Sequence, residues 1–427
     1  AVAASRQWWI GGGGPSGSQS PASWAAAYGA AAAGDHIYLP AGSVALGTLS
    51  RNFPAANPLV IRGRPMAAGS KAPTSIITGK TRGTGVGHWL NELQTNYPGS
   101  TRHDGDLDVT GSYWTITRCW LTGREGIDIA AAAHHVWFGY NRLTGRNTAT
   151  GTDPDGNPAA PNCFHLYVKL PAGNAAASAY PHDLIFYDNF WWDDTNHGVY
   201  KSNYGGESMN CYIGDSHPTG SSPLLRLLNV VFEENYLPGA AGKCRKRSIY
   251  SKRGCDFIRN LSTHSIGVFG QRHGAGSRIY GNRISDPDFN IIGDTRAGGY
   301  ANGNDIRNNV AGGTIQLYRA GYLGDDPING SPYQAADWTT LYKNQGKVAV
   351  GYKLGNMTPI TGDGGTVSNA RIYAHVSGLV AVDPAHADIG SITQDGGNPL
   401  GLTNGADLIP ASWADANVGF EVAGQGL

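Results

Sequence analysis

Between Lys243 and Arg283 the sequence concentrates its cations. Lys243, Arg245, Lys246, Arg247, Lys252, Arg253, Arg259, Arg272, Arg278 and Arg283 share that stretch with one acid, Asp256. Ten positives against one negative give +9, although across the whole chain 32 Lys and Arg balance 32 Asp and Glu. A zone of that sign attracts a polyanion. It also disfavours the ammonium form of a lysine inside it, which brings a neutral amine within reach near pH 7. Lys252, with Lys246, Arg247 and Arg253 close by in sequence, is placed for that effect.

The elements that must carry these residues are short and β-rich. The 427 residues include 62 glycines, and only 15% are charged. Glycine has no three-residue period, which excludes collagen, and 40% hydrophobic residues suffice for a sizeable core. The longest apolar stretch, Ala25–Ala33, is glycine-broken and too short to span a bilayer. Five cysteines without a CxxC pair support neither a disulfide scaffold nor a zinc ribbon. Cys244 and Cys255 flank Lys252 and are compatible with either a disulfide or internal packing. A start at Ala1-Val2-Ala3 suggests a mature chain, with a secreted or periplasmic location as the expectation.

Short runs such as HHVWFGY, DLIFYDNF, RSIYS, SIGVFGQ, SRIYGN and TIQLY alternate with Gly/Asn turns. Asn-x-apolar phrases stand at Asn141, Asn189, Asn210, Asn235, Asn260, Asn282 and Asn309, mostly 21 to 27 residues apart, and the 48 from Asn141 to Asn189 reads as two periods. Asparagine tolerates the left-handed turn conformation, and stacked copies can bond from coil to coil. The pattern predicts an all-β right-handed parallel β-helix rather than an antiparallel sandwich or propeller. Ser20 as N-cap and Pro21 at the first position predict a short N-terminal capping helix over 20–34. The expected organisation is one domain over 1–427. Main coils occupy 35–320, and a loop (about 323–345), late coils and a tail fill 321–427. An extended acidic polysaccharide suits such repeating coils, whereas no helix-turn-helix, zinc-finger or RNA-recognition phrase supports nucleic acid. Neither a membrane nor a protein partner is expected, and the chain is expected to act as a monomer.

The stretch Ser248–Ile284 resembles the core of the polysaccharide lyases that include chondroitinase B and the β-helical alginate lyases. The matching phrases are Lys252, followed here by Arg253 rather than Ser, then Arg272-His273-Gly274, and Asn282. Tyr204-Gly-Gly-Glu207 with Ile213-Gly-Asp-Ser216, and the opening Gly34–Gly42, extend the likeness more loosely. The resemblance implies β-elimination on a uronic acid: a base takes the C5 proton α to the carboxylate and the glycosidic C4–O bond breaks. It implies Lys252 as the base and Arg272 as the group that stabilises the leaving oxygen. The family commonly holds calcium through two glutamates seven and five residues before the lysine; here those positions are Arg245 and Arg247. Guanidinium groups cannot ligate a hard cation but can grip a carboxylate bidentately. The expectation is therefore no metal and no cofactor, with Arg245 and Arg247 in place of calcium; the opposed reading is that calcium and activity are lost together.

His273, beside Arg272, and Arg296, about one coil further on, are expected to contact substrate. Asp193-Asp194 with His197 is similar to the acid cluster of β-helical pectin hydrolases, but a surface turn suits it better. Trp191 and Trp192 could stack on sugar rings or be buried. His134, His135 and His165 are expected to be core or stacked histidines. Three functions stay open: a lyase acting on an alginate-like polymer or on a dermatan- or chondroitin-type glycosaminoglycan, a non-catalytic glycan-binding protein or adhesin, and a glycoside hydrolase on the same fold.

Overall fold

A computed structural model describes residues 5–66, 70, 72–96, 106–122, 126–144, 166–171, 175–192, 209–214, 226–237, 247–251, 254–262, 266–269, 276–284, 288–294, 303–307, 309–320, 339–342, 344–350, 369–373, 380–382, 391 and 393–394. Every strand pairing within it is parallel. A representative coil runs through Trp114–Thr117, Trp120–Leu121 and Ile127–Ile129, and the next coil starts at His134–Gly139 directly alongside the first of these. Strands thus stack in three rows, and the chain is a parallel β-helix. The first row holds 14 described strands, from Gln7–Trp9 to Thr393–Gln394. The second and third rows are bridged by the long strand Val310–Ala320, which pairs with both Arg283–Ile284 and Asp288–Asp294.

Alternation of side chains across each strand sends one column of the first row into the core. It runs from Trp8 and Ile37 through Phe138, Phe186, Phe232 and Phe257 to Ile372, in continuous register. Phe186 stacks on Phe232 at 4.6 Å, and Phe232 on Phe257 at 5.5 Å. Each buried phenyl ring contributes about 1.5–3 kcal/mol.

At the corner between the first and second rows stands a ladder of buried asparagines: Asn141, Asn189, Asn235, Asn260, Asn282, Asn309 and Asn344. The Nδ2 of each donates to a first-row carbonyl of the preceding coil, as Asn189 does to Phe138 O at 2.9 Å. From Asn189 on, each Oδ1 accepts from the rung before it, as Asn235 Oδ1 does from the Asn189 backbone N–H at 3.1 Å, while Asn141 Oδ1 accepts from the Cys119 N–H at 2.9 Å. The residue before a rung takes a left-handed turn: φ is 58° at Tyr140, 49° at Asp188 and 54° at Glu234. The sequence period is corrected in three places. Asn141 and Asn189 are adjacent rungs, so their 48-residue separation is one coil with an insertion. Asn210 lies in the third-row strand Met209–Gly214 and is not a rung. The ladder continues to Asn344, 35 residues beyond Asn309 and inside the stretch expected to be a loop.

The N-terminal helix is shorter than expected, Trp24–Ala30, and its N-cap is Ser23 rather than Ser20. Ser23 has an extended backbone and its hydroxyl accepts from Ala26 N–H at 3.2 Å, the bond a cap must make. The helix packs Ala27 into the core after the unforeseen strand Gln7–Trp9, whose Trp8 pairs with Ile37.

Candidate functional site

The corner between the third and first rows carries the connections in which the expected catalytic residues fall. Lys252 and Arg253 alone separate Arg247–Ser251 from Gly254–Ile258. Arg272 and His273 fall between Ile266–Phe269 and Arg278–Tyr280. Arg296 falls between Asp288–Asp294 and Asp305–Arg307. The register makes these coils consecutive: Ser251 pairs with Val268 and Val268 with Ile291, while Asp256 pairs with Arg278 and Arg278 with Asp305. Neighbouring strands lie about 4.8 Å apart, so the strand ends that flank these three connections follow one another at about that pitch.

Lys252, Arg272, Arg245, His273 and Arg296 themselves lie outside the described residues, as do Tyr204–Glu207, Asp193, Asp194, His197 and His165. Arg247 begins a third-row strand opposite Met209, with only its backbone described. Ser251 on one side of the Lys252 connection and Cys255 and Asp256 on the other are fully buried. Cys255 is a free, fully buried thiol whose pKa burial pushes up to about 12, and Cys244 lies outside the described residues. The guanidinium groups of Arg245 and Arg247 only donate, so this pair does not form a calcium donor set.

Pairing tempers the basic excess counted along the sequence. Buried Asp256 accepts from both Arg226 and Arg278, the latter through Nε at 3.0 Å and a second, Nη2 bond, and this pairing raises the pKa of Arg278. Arg259 Nε donates to Glu234 Oε1 at 2.9 Å, and its Nη2 lies 2.5 Å from Glu233 Oε1. Those glutamates belong to the previous coil, which a count from 243 to 283 leaves out. Arg259 and Arg278 are therefore structural cations, and the charge available to a ligand at this corner is smaller than +9.

Further along the same edge, the first-row strands bring together residues that the sequence reading separated. His134 pairs in register with His182, and their rings stack at 4.8 Å with a 4° interplanar angle. His134 Nδ1 lies 2.8 Å from His135 Nδ1, and the rings of Tyr113 and His135 stack at 4.5 Å. Asp183 lies 2.7 Å from His182 Nδ1 and accepts from Asn229 Nδ2 at 2.7 Å. Tyr113, His135, Asp183 and Asn229 all take left-handed backbone, with φ of 57°, 54°, 53° and 50°. The histidines are stacked, as expected, but they stand on the rim and not in the core. The ligand atoms of the three lie within 4.8 Å of one another, the one group of at least three potential metal ligands among the described residues. Counting back from the ladder would have found it: His134 stands seven positions before Asn141, and His182 seven before Asn189. Reading 48 residues as two coils hid that equivalence. Trp191 is fully buried, packed edge-on to Phe232 at 6.3 Å, and so does not meet a sugar.

No protein-family model and no curated protein matches the chain. Among solved structures, the PL6 family alginate lyase AlyGC aligns with a TM-score of 0.57 at 17% identity, over 86% of this chain and 49% of its own length. A mannuronic acid specific polysaccharide family 6 lyase from human gut microbiota aligns with a TM-score of 0.55 at 15% identity, over 85% of this chain and 80% of that one. A PL6 alginate lyase in complex with a trisaccharide aligns with a TM-score of 0.51 at 17% identity, over 86% and 83% respectively. The chain spans about half the length of AlyGC. At these identities the likeness is one of fold, and this chain has the parallel β-helix architecture that those alginate lyases share.

Proposed function

We propose that the chain is a polysaccharide lyase that cleaves a uronic-acid-containing polyanion, alginate in the first instance, by β-elimination and without calcium. The observation that carries this reading is the single corner shared, in three consecutive coils, by the connections containing Lys252, Arg272-His273 and Arg296. Solved alginate lyases of the same architecture support the choice of polymer.

In this mechanism Arg245 and Arg247 grip the sugar carboxylate bidentately, offsetting the charge that otherwise makes the C5 proton very weakly acidic. Lys252, neutral because its neighbours are cationic, takes that proton. The electron pair left at C5 forms the C4–C5 double bond as the C4–O bond breaks. Arg272 keeps its own proton and stabilises the negative charge growing on the departing oxygen, which is then protonated by water or a neighbouring side chain. His273 and Arg296 hold adjoining sugars. The enzyme works as a secreted or periplasmic monomer.

The test is incubation with alginate, dermatan sulfate, chondroitin sulfate, hyaluronan and polygalacturonate while ultraviolet absorbance is followed. Elimination creates a conjugated double bond, and a rise on alginate is expected. A rise confined to a glycosaminoglycan would replace the polymer. New reducing ends without absorbance would mean a hydrolase, and neither signal on any polymer would leave a glycan-binding protein.

A further inference from the structure

We propose that His134, His135 and His182 form a binding site for a borderline divalent transition-metal ion, with Asp183 as the carboxylate that orients it. Three imidazoles are a donor set suited to zinc, copper or nickel and poorly suited to calcium. Their ligand nitrogens fall within 4.8 Å of one another, which modest side-chain rotation closes around an ion at bond lengths of about 2 Å.

The hydrogen bonds settle where the lone pairs are. A carboxylate only accepts, so at 2.7 Å from Asp183 Oδ2 it is His182 Nδ1 that carries the proton, which leaves the Nε2 lone pair for a metal. Asp183 is held in turn by Asn229 Nδ2 at 2.7 Å and lies 3.7 Å from His135 Nε2. That is the carboxylate–histidine arrangement that commonly surrounds metal-ligating imidazoles. The 2.8 Å between His134 Nδ1 and His135 Nδ1 brings two nitrogens together that require either one shared proton or one shared cation.

The Asn229 and His182 hydrogen bonds fix the Asp183 carboxylate in place beside the imidazoles. Tyr113 also packs against the cluster, its ring stacked on His135. With the His135 side chain 41% exposed, an ion has a path in and coordination positions stay open to solvent.

The site stands or falls on metal binding, independently of the lyase reading, which rests on absorbance. Untagged protein, stripped with a chelator and dialysed, is titrated with zinc ion by calorimetry, and the cobalt(II) form is examined for visible absorption. About one equivalent of zinc per chain is expected, with release on acidification, since protons compete with the ion for the imidazole lone pairs. His135→Ala, at the exposed position, should weaken binding at least 10-fold, and Asp183→Asn by about 10-fold. Circular dichroism confirms that both variants are folded. Absence of a stoichiometric event, or unchanged affinity in the His135→Ala/His182→Ala double variant, would overturn the site.

Discussion

The backbone N–H of Asn141 donates to Oδ1 of Asn189 at 2.9 Å across 48 residues of sequence, and Asn189 makes the same bond to Asn235 across 46. The two longest intervals in the ladder are therefore spanned by direct hydrogen bonds, one rung to the next. The insertions they contain leave the stack undisturbed because each rung satisfies buried groups of its neighbours rather than of its own loop. Asn189 Nδ2 also donates to Phe138 O at 2.9 Å and to Asn235 Oδ1 at 2.9 Å.

Replacing Asn189 with Ala should therefore cost about 3 kcal/mol, because it strands the Asn141 N–H and the Phe138 carbonyl in a water-free corner. Urea denaturation measures this directly. A loss below about 1 kcal/mol would mean that water or a backbone shift takes over the rung.

At the proposed catalytic corner, Lys252→Ala should lower the rate of absorbance increase by about 10²- to 10⁴-fold, the usual worth of a positioned base. The variant should still bind polymer, since the arginines remain. A full rate in this variant removes Lys252 from the role of base.

Arg245→Ala and Arg247→Ala should each lower kcat as well as raise KM, because charge on the sugar carboxylate grows during proton removal. Treatment of the native protein with EDTA should leave turnover unchanged. Complete loss of turnover in EDTA, restored by calcium, would end the proposal that guanidinium groups take the place of the ion.

The coil architecture is legible in the sequence because the asparagine of the Asn-x-apolar phrase that marks each turn is the element that bonds from coil to coil. Its legibility fails where insertions fall. Asn210 matches the phrase by chance inside a third-row strand, and His134 and His182 look unrelated until the coil between them is counted as one. The charge reading fails for a related reason: Glu233 and Glu234 neutralise Arg259 from the coil before it, at a sequence distance that no local window covers. What sequence does convey at the corner is residue type. The pairing of Ser251 with Val268 and Val268 with Ile291, and of Asp256 with Arg278 and Arg278 with Asp305, which aligns the strands flanking the three connections, is a property of the stacked strands.

Asp128 gives the fold one pH dependence. Its side chain is 1% exposed, and Lys169 Nζ donates to its Oδ2 at 2.9 Å. Burial raises the pKa of Asp128 to about 6, against the partial opposition of Lys169. Between about 4 and 6 the folded state thus holds more proton than the unfolded state, so stability falls as pH rises through that window. Asp128→Asn should remove this slope. Denaturation midpoints at pH 4.5 and 6.5 measure it, and an unchanged difference between them would assign the slope elsewhere.

His88 gives a dependence of the opposite sign. It is fully buried, stacked on Trp114 at 4.7 Å and edge-on to Phe53 at 5.3 Å, with the Tyr28 hydroxyl 3.3 Å from its Nε2. Burial, and then the charge of Arg51, depress its pKa to about 4. The unfolded imidazole protonates near 6.5, so from about 6.5 down to 4 the unfolded state binds the extra proton and stability is lost. A shift of that size corresponds to about 3 kcal/mol. The windows of Asp128 and His88 overlap and oppose each other, which flattens the native profile between pH 4 and 6. His88→Phe, which keeps an aromatic ring between Trp114 and Phe53, should expose the Asp128 slope, so that its stability rises on acidification from pH 6.5 to 4.5 relative to the native chain. If the two proteins lose stability in parallel over that range, His88 is not the group that titrates.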